Sequence, residues 1–199
     1  LNATSRVKLD SAGNCAAAII AVGAAAPTPL RAVKAEASLV GQPFNEEAVV
    51  RAIRYPPEGK RGCAVTSRQT EFGAVGVRDW IAWANAETLL IVQIEEKAAI
   101  EEIDGILSVP GVDVALIGPN DLSISLGVPG EVGHPVMRAA MERVVDVAAR
   151  HGVVSGLHVR DLDVLRTWQA RGMRFLMYAN EVLLMRQAAE QATKAVRGT

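Results

Sequence analysis

The strongest constraint on the fold is a strand-then-helix pattern that occurs four times in succession after residue 86. Each apolar run of strand length is followed by a segment whose apolar residues recur at helical spacing, with glycine or proline punctuating the segments. Short connections between such units predict parallel strands joined by right-handed crossovers. The predicted strands are 89–95, 112–118, 153–159 and 173–179, and the predicted helices are 97–109, 119–122, 135–151, 161–170 and 180–197.

The part of the chain before residue 86 contains fewer such units. Residues 16–22 and 38–41 have the composition of strands, and residues 48–54 predict a helix that the two prolines in 55–59 must end. A complete (β/α)₈ barrel takes about 250 residues, whereas this chain has 199. The sequence therefore predicts a single α/β domain over residues 1–199, of TIM-barrel type, with its N-terminal units abbreviated or partly missing.

Composition and charge argue against several classes of function. The formal net charge of −1 provides no basic surface for nucleic acid. The apolar run at 15–26 has about 12 residues, and a membrane span needs about 20, so we expect neither a nucleic-acid nor a membrane partner. Two cysteines cannot build a disulfide framework, which favours a reducing, cytoplasmic setting.

Polar residues lie at the ends of the first two predicted strands. Gln93 and Glu95 are two apart, so both project from the same face of one strand, and Asp121 follows the next strand. Neighbouring strands are about 4.8 Å apart, so Glu95 and Asp121 can reach one cation. Two carboxylates without His or Cys suit Mg²⁺ or Mn²⁺, with water and substrate oxygens as further ligands. The alternative is structural, since Asn120 or Asp121 could cap the helical turn that begins there.

A series of short motifs runs through residues 43–190. The two most specific are YPPEGKRG at 55–62 and GPNDLS at 118–123. The others are AN at 84–85, VQIE at 92–95, VPGVD at 109–113, SLG at 125–127 and HP at 134–135. In order and spacing, these motifs resemble the HpcH/HpaI aldolases of the phosphoenolpyruvate/pyruvate barrel superfamily, whereas residues 1–42 match poorly.

This resemblance implies a class II aldol lyase that cleaves 4-hydroxy-2-oxo acids to pyruvate and an aldehyde through a metal-stabilised enolate. It implies that Glu95 and Asp121 hold the divalent metal, which would be Mg²⁺ or Mn²⁺, with Co²⁺ as a further candidate. By the same resemblance, Gln93 and Asp121 contact the substrate, and the backbone at Asn120 receives the carboxylate of the 2-oxo acid. The family also implies a homo-oligomer, a hexamer or a trimer, built through terminal helices.

Two catalytic motifs of the family have no firm match in this sequence. The family's Asp-x-Glu-His segment is absent, since the three histidines are His134, His151 and His158. Arg31, in the segment 28–31, is a candidate for the arginine that polarises the substrate. The catalytic base is therefore unknown. Either segments of the protein are absent from this chain, which we favour, or the chain is truncated and inactive, or it has rebuilt its site.

Two alternative functions stay open. A catalytically inactive barrel could persist as an assembly or ligand-binding subunit, which the missing motifs favour and the intact Gln93, Glu95 and Asp121 disfavour. A related lyase acting on acyl-CoA substrates is the other, although YPPEGKRG points away from it.

His158 could act as a base at a strand end, but a structural role is the more common one. Lys97 is typical of a solvated helix start rather than of a Schiff-base lysine.

Overall fold

The computed structural model describes residues 2–9, 11, 15–23, 30–31, 50–51, 53–64, 66 and 68–198. These residues fall into two compact units. The first lies within 1–90 and includes 109–111, and the second consists of 91–108 and the chain from 112 onward. The single barrel domain expected over the whole chain stays a prediction.

The described strands of the first unit form an antiparallel sheet. Strand β1 (Asn2–Leu9) pairs with β2 (Cys15–Gly23), and β2 pairs with β3 (Leu30–Arg31). Strand β2 lies where a strand was expected. The antiparallel pairing differs from the βα units expected in this part of the chain, because residues 10–14 are too few for the crossover that parallel strands require. The other expected strand, 38–41, lies outside the described residues.

Tyr55 is the centre of a small core in the first unit. A 3₁₀ helix (Arg68–Gly73) precedes α1 (Val77–Glu87), and Trp80 and Ala84 of α1 form a buried cluster with Tyr55. The tyrosine is 1% exposed. The YPPEGKRG motif therefore begins with a core residue, which gives part of this motif a structural role.

The YPPEGKRG motif turns back on the helix that precedes it, of which residues 50, 51 and 53 are described as helical. The amide of Arg61 donates to the carbonyl oxygen of Arg54 at 2.8 Å. A Cβ atom on Gly59 would overlap that same carbonyl oxygen. Because a backbone atom cannot yield to such a contact, the turn requires glycine at this position.

Four parallel strands form the sheet of the second unit, in the order of the sequence. They are β4 (Ile91–Ile94), β5 (Val114–Ile117), β6 (Val154–Val159) and β7 (Phe175–Tyr178). Each strand pairs with its neighbour in parallel register. The four predicted strands and their parallel arrangement are confirmed, and each observed strand lies within its predicted range.

Helices α2 to α7 follow these strands. Their bounds are Lys97–Glu101 (α2), Ile103–Leu107 (α3), Pro119–Ser125 (α4), Pro135–His151 (α5), Leu162–Ala170 (α6) and Glu181–Arg197 (α7). Gly152, in the left-handed region at φ 70°, ends α5 as expected. The helix expected at 97–109 is instead two short helices, which separate at Glu102. None of the described helices combines the length and apolarity needed to cross a membrane.

Contacts from α5 accompany the separation of α2 from α3. The Nε of Arg143, on α5, donates to the carbonyl oxygen of Ile100 at 3.0 Å, near the end of α2. Asp104, in the first turn of α3, lies 3.0 Å from the guanidinium of Arg150 on the same long helix. Since a helix end leaves carbonyl oxygens without partners, the arginine stabilises the early end of α2.

The two faces of the parallel sheet differ in burial. Ile94, Ile117 and Leu157 are paired in register on one face and are at most 1% exposed. Helices α5 and α6 pack against strands of this sheet. Gln93 and His158 project from the opposite face and are exposed. The polar residues of the candidate site are thus carried by the more open face.

Candidate metal and substrate site

The carboxylate of Glu95 is oriented by its neighbour on the same strand face. The Nε2 of Gln93 donates a hydrogen bond to Oε2 of Glu95 at 2.5 Å. Glu95 is half-buried and directly follows Ile94, the last residue of β4. The two residues that the sequence placed on one face therefore form a pair, in which Oε2 of the carboxylate accepts the bond.

Gly118 leaves the space that this pair occupies. It follows β5, and its amide donates to the carbonyl oxygen of Ile94 at 3.1 Å. A Cβ atom on Gly118 would lie 2.8 Å from Oε2 of Glu95 and 3.0 Å from Nε2 of Gln93. Sequence reasoning did not single out this glycine. Its position next to the strand that carries the acidic residue, immediately before a helix-starting proline, is the signal that could have found it.

Asp121 lies in the first turn of α4, one residue after Asn120. The N-cap residue of this helix is Gly118, and Pro119 occupies the first helical turn. The suggestion that Asn120 or Asp121 caps the helix is therefore wrong, because both lie inside the first turn and not before it. Both are exposed. The carboxylate of Asp121 is consequently not used to cap the helix.

Two serines fix the GPNDLS helix and its surroundings. Ser123 is fully buried, and its Oγ donates to the carbonyl oxygen of Asn120 at 2.6 Å and accepts from the amide of Gly130 at 2.9 Å. Ser125, at the end of α4, accepts a hydrogen bond from the amide of Lys97 at 2.9 Å. Neither serine was assigned a role from the sequence, since their partners depend on how the loops meet.

A groove of roughly 740 Å³ lies at the carboxyl ends of β5, β6 and β7. Its polar lining includes Asn120, Glu131, His158, Arg160 and Asn180. Cavities of this size hold small organic ligands, and parallel α/β folds bind ligands at the carboxyl ends of their strands. Of the residues expected to bind the substrate, Asn120 is in the lining of this groove.

Other candidate residues have structural partners. The Nε2 of His158 donates to the carbonyl oxygen of Ala179 at 2.9 Å, which gives this histidine a structural role, and its action as a base stays a prediction. Lys97 is exposed and lies 3.7 Å from Glu101, as expected of a solvated helix start. Arg31 is the last residue of β3 in the first unit, and its assignment as the substrate-polarising arginine stays a prediction.

The two residues expected to bind a metal, Glu95 and Asp121, offer carboxylate oxygens. Among the described residues, no group of three or more His, Cys, Asp or Glu side chains is arranged to hold a metal ion. Mg²⁺ is commonly bound by one or two carboxylates together with waters and substrate oxygens, so a closed cage is not required. The carboxylate oxygens of Glu95 and Asp121 suit a hard divalent cation by their chemistry, and Gly118 lies directly beside one of the two carboxylates. Their role as metal ligands stays a prediction.

Comparison with known proteins gives relatives that are described as aldolases. The chain is 36% identical over 152 residues to a hydroxypyruvate/pyruvate aldolase of Paraburkholderia phytofirmans, covering 74% of this chain and 58% of that protein. It is 33% identical over 145 residues to a 5-keto-4-deoxy-D-glucarate aldolase of Shigella dysenteriae, covering 73% of this chain and 56% of that protein. The chain thus spans less than two thirds of the length of these relatives.

Solved structures with the same architecture carry related descriptions. An HpcH/HpaI aldolase/citrate lyase family protein from Burkholderia cenocepacia matches with a TM-score of 0.68 and 35% identity, over 76% of this chain and 60% of that one. An HpcH/HpaI aldolase from Desulfitobacterium hafniense matches with a TM-score of 0.69 and 33% identity, over 77% and 59%. The predicted α/β fold of TIM-barrel type is confirmed. Residues 28–188 match the family HpcH/HpaI aldolase/citrate lyase, and the chain belongs to that family.

Proposed function

We propose that this protein is a metal-dependent aldol lyase that cleaves 4-hydroxy-2-oxo acids to pyruvate and an aldehyde. The observation that carries the proposal is the carboxylate of Glu95, which Gln93 orients by a hydrogen bond beside Gly118. Asp121 lies in the first turn of the helix that begins there and does not cap it. Relatives described as pyruvate and ketodeoxyglucarate aldolases support a carbon–carbon lyase acting on a small 2-oxo acid and an aldehyde.

Each residue of the site has a distinct task in this proposal. Glu95 and Asp121 would hold a divalent cation, Mg²⁺ or Mn²⁺ with Co²⁺ as a further candidate. When bound, that cation supplies Lewis-acid stabilisation of negative charge on the substrate. Gln93 holds the Glu95 carboxylate in place and contacts the substrate. The backbone at Asn120, in the first turn of a helix whose leading N–H groups lack helical partners, receives the substrate carboxylate.

Cleavage breaks the bond between C3 and C4 of the substrate. The electron pair of that bond stays on C3, which takes up a proton to become the methyl group of pyruvate. The 4-hydroxyl loses its proton and becomes the aldehyde carbonyl, so the step needs a base close to this hydroxyl. The proposal includes a cytoplasmic setting, which rests on the cysteine usage of the sequence.

The test is pyruvate release from a 4-hydroxy-2-oxo acid, followed with lactate dehydrogenase, with and without Mg²⁺ or Mn²⁺. We expect metal-dependent release that falls to background in Glu95→Gln and Asp121→Asn. The matched control is Glu96→Gln, which removes the same charge from the adjacent, exposed residue and should leave the rate unchanged. Full activity in Glu95→Gln would contradict the assignment of Glu95 as a metal ligand.

The terminal helix supports the proposed homo-oligomer, a hexamer or a trimer. No residue of α7 is buried within the described chain. Apolar residues recur along it at alternating intervals of three and four, the spacing by which helices pack against one another. These residues are Val182, Met185, Ala189, Ala192 and Val196. Light scattering should give an oligomer that Met185→Glu weakens, whereas a monomeric wild type would contradict this part of the proposal.

One set of contacts favours the alternative function, a catalytically inactive barrel that serves as an assembly or ligand-binding subunit. All three histidines of the sequence have structural partners. His134 accepts from the amide of Val136, His151 lies 3.4 Å from Asp104, and His158 is bonded to a backbone carbonyl oxygen. Each histidine thus has a contact that belongs to the fold. Metal binding without pyruvate release from several 4-hydroxy-2-oxo acids would favour this alternative.

A further inference from the structure

Two hydrogen bonds join the segment that carries Glu95 to the segment that carries Asp121. The amide of Gly118 donates to the carbonyl oxygen of Ile94, the residue before Glu95, at 3.1 Å. The amide of Lys97, two residues after Glu95, donates to Oγ of Ser125 at 2.9 Å. The first bond joins two residues that precede Glu95 and Asp121 in their segments, and the second bond joins two residues that follow them.

The spacing on α4 makes the second bond specific to Asp121. Asp121 and Ser125 are four apart in one helix, so they lie on the same face, one turn from each other. A change in the position of Lys97 relative to Ser125 would therefore change the position of Glu95 relative to Asp121. Of the two bonds, the one at Gly118 is between backbone groups, and only the one at Ser125 depends on a side chain.

We propose that Ser125 is a positioning residue for the two metal-binding carboxylates, an inference that rests on the proposed function. Its hydroxyl holds the loop after β4 against the end of α4 and so fixes the separation of Glu95 from Asp121. It contacts neither metal nor substrate. Partners that orient metal ligands typically change metal affinity by tenfold or more when removed. Because Ser125 bonds to the backbone and not to a ligand, we expect a loss of about three- to tenfold.

Ser108 provides a matched control in the same unit. Its Oγ donates to the carbonyl oxygen of Gly105 at 2.8 Å, three residues earlier, and it is exposed like Ser125. Ser108→Ala removes a serine hydrogen bond of similar length that joins no two segments of the site. Ser125→Thr is the conservative variant, since it retains the hydroxyl and adds a methyl group at an exposed position.

The experiment measures the binding of Mn²⁺ alone to the full chain, by titration calorimetry or by the electron paramagnetic resonance signal of free Mn²⁺. The variants are wild type, Ser125→Ala, Ser125→Thr, Ser108→Ala and Glu95→Gln, each also melted to obtain Tm. We expect Ser125→Ala to raise the Kd about three- to tenfold with a change in Tm no larger than that of Ser108→Ala. Ser125→Thr and Ser108→Ala should bind like wild type.

The outcomes separate this inference from the proposed function. If wild type binds Mn²⁺ and Glu95→Gln does not, the metal site stands, and an unchanged Kd in Ser125→Ala then overturns the role of Ser125 alone. A raised Kd that Ser125→Thr fails to restore also overturns it, because the hydroxyl is then not the cause. Wild type that binds no more Mn²⁺ than Glu95→Gln overturns the metal site and the inference together.

Discussion

The side-chain amide of Asn85 makes a reciprocal pair of hydrogen bonds with the backbone of Tyr55. Its Oδ1 accepts from the Tyr55 amide at 2.7 Å, and its Nδ2 donates to the Tyr55 carbonyl oxygen at 3.0 Å. The Tyr55 hydroxyl in turn accepts from Nε1 of Trp80 at 3.1 Å. Two motifs that the sequence keeps 30 residues apart, YPPEGKRG and the AN at 84–85, are thus one structural feature.

Asn85→Ala should destabilise the first unit, because it takes this partner from the amide of Tyr55, a 1%-exposed residue, while the Tyr55 carbonyl oxygen keeps its bond from the amide of Gly59. An unsatisfied buried group costs about 1–3 kcal/mol, so we expect a loss of about 1–3 kcal/mol. Urea unfolding followed by tryptophan fluorescence measures this directly. Gln191→Ala, at an exposed helix position, is the control and should change little. A loss below about 0.5 kcal/mol would show that water replaces the asparagine.

Gly118→Ala should impair the proposed chemistry while the protein still folds. The new methyl group would lie 2.8 Å from Oε2 of Glu95 and 3.0 Å from both Cβ of Glu95 and Nε2 of Gln93, so both side chains would have to shift. Displacement of a reacting group by about 1 Å can cost a hundredfold in rate, so we expect about a ten- to hundredfold loss of metal-dependent turnover.

The control for this variant is Gly105→Ala. Gly105 lies in α3, and no atom of the described residues comes within 4 Å of the place that a methyl group on it would take. Alanine is also favoured over glycine in a helix by about 0.5–1 kcal/mol. This control should raise Tm slightly and leave turnover unchanged. Equal turnover in Gly118→Ala and Gly105→Ala would mean that the Gln93–Glu95 arrangement is not needed for the reaction.

The contacts of Asp104 predict a pH-dependent contribution to stability. Partial desolvation raises the pKa of Asp104, but the hydrogen bond with His151 and the charge and hydrogen bond of Arg150 outweigh it, so this pKa lies below its usual value. A carboxyl group whose pKa is lowered by folding stabilises the folded state above its unfolded pKa of about 4, and this is lost as pH falls through the folded pKa.

Asp104→Asn should therefore lower Tm at pH 7, and its difference from wild type should shrink below about pH 4. Melting curves between pH 3 and pH 7 would test this. Asp163→Asn is the comparison, since the side chain of Asp163 is 88% exposed and pairs with Arg166 on the surface. A constant difference between Asp104→Asn and wild type at every pH would rule out the titration of Asp104 as its cause.

Arg143→Ala should cost more stability than Arg166→Ala, although both arginines lie near carboxylates. Arg143 donates to the carbonyl oxygen of Ile100 and joins α5 to α2, whereas Arg166 makes a local pair within α6. We expect about 1 kcal/mol for Arg143, discounted for its half-exposed side chain, and about 0.3 kcal/mol for Arg166. Chemical denaturation measures both losses. Equal losses in the free energy of unfolding would contradict the bridging role of Arg143.

The four βα units could be predicted because each is encoded locally. The strands are apolar runs, Gly152 ends α5 in the left-handed conformation, and Asn180 caps the start of α7 with its side chain. The division of the helix expected at 97–109 could not be predicted in the same way. The apolar spacing continues across Glu102, and the arginine that bonds to the end of α2 lies 43 residues away in the sequence.

The candidate site was predictable only in part, for a similar reason. Gln93, Glu95 and Asp121 have chemistry that a sequence displays, and the period of a strand places the first two together. The roles of Gly118 and Ser125 depend on which atoms meet when β4 and β5 pair in register, and this is a property of the folded chain. The N-cap of α4 was misjudged because Pro119 begins the helix, which moves the cap back to Gly118.

The hydrogen bonds of the three histidines carry a consequence for enzyme kinetics. Histidine is the side chain whose ordinary titration falls between pH 5 and 8, so a limb of a pH–rate profile in that range is usually assigned to one. His134 must keep Nδ1 unprotonated to accept from the amide of Val136, and His158 is tied to a backbone carbonyl oxygen. Protonation of Nδ1 would cost His134 its contact with this amide, whereas the bond of His158 is made through Nε2 and does not use Nδ1. A limb that came from His134 would therefore report a conformational rearrangement coupled to proton transfer, visible as a change in local backbone protection at the same pH.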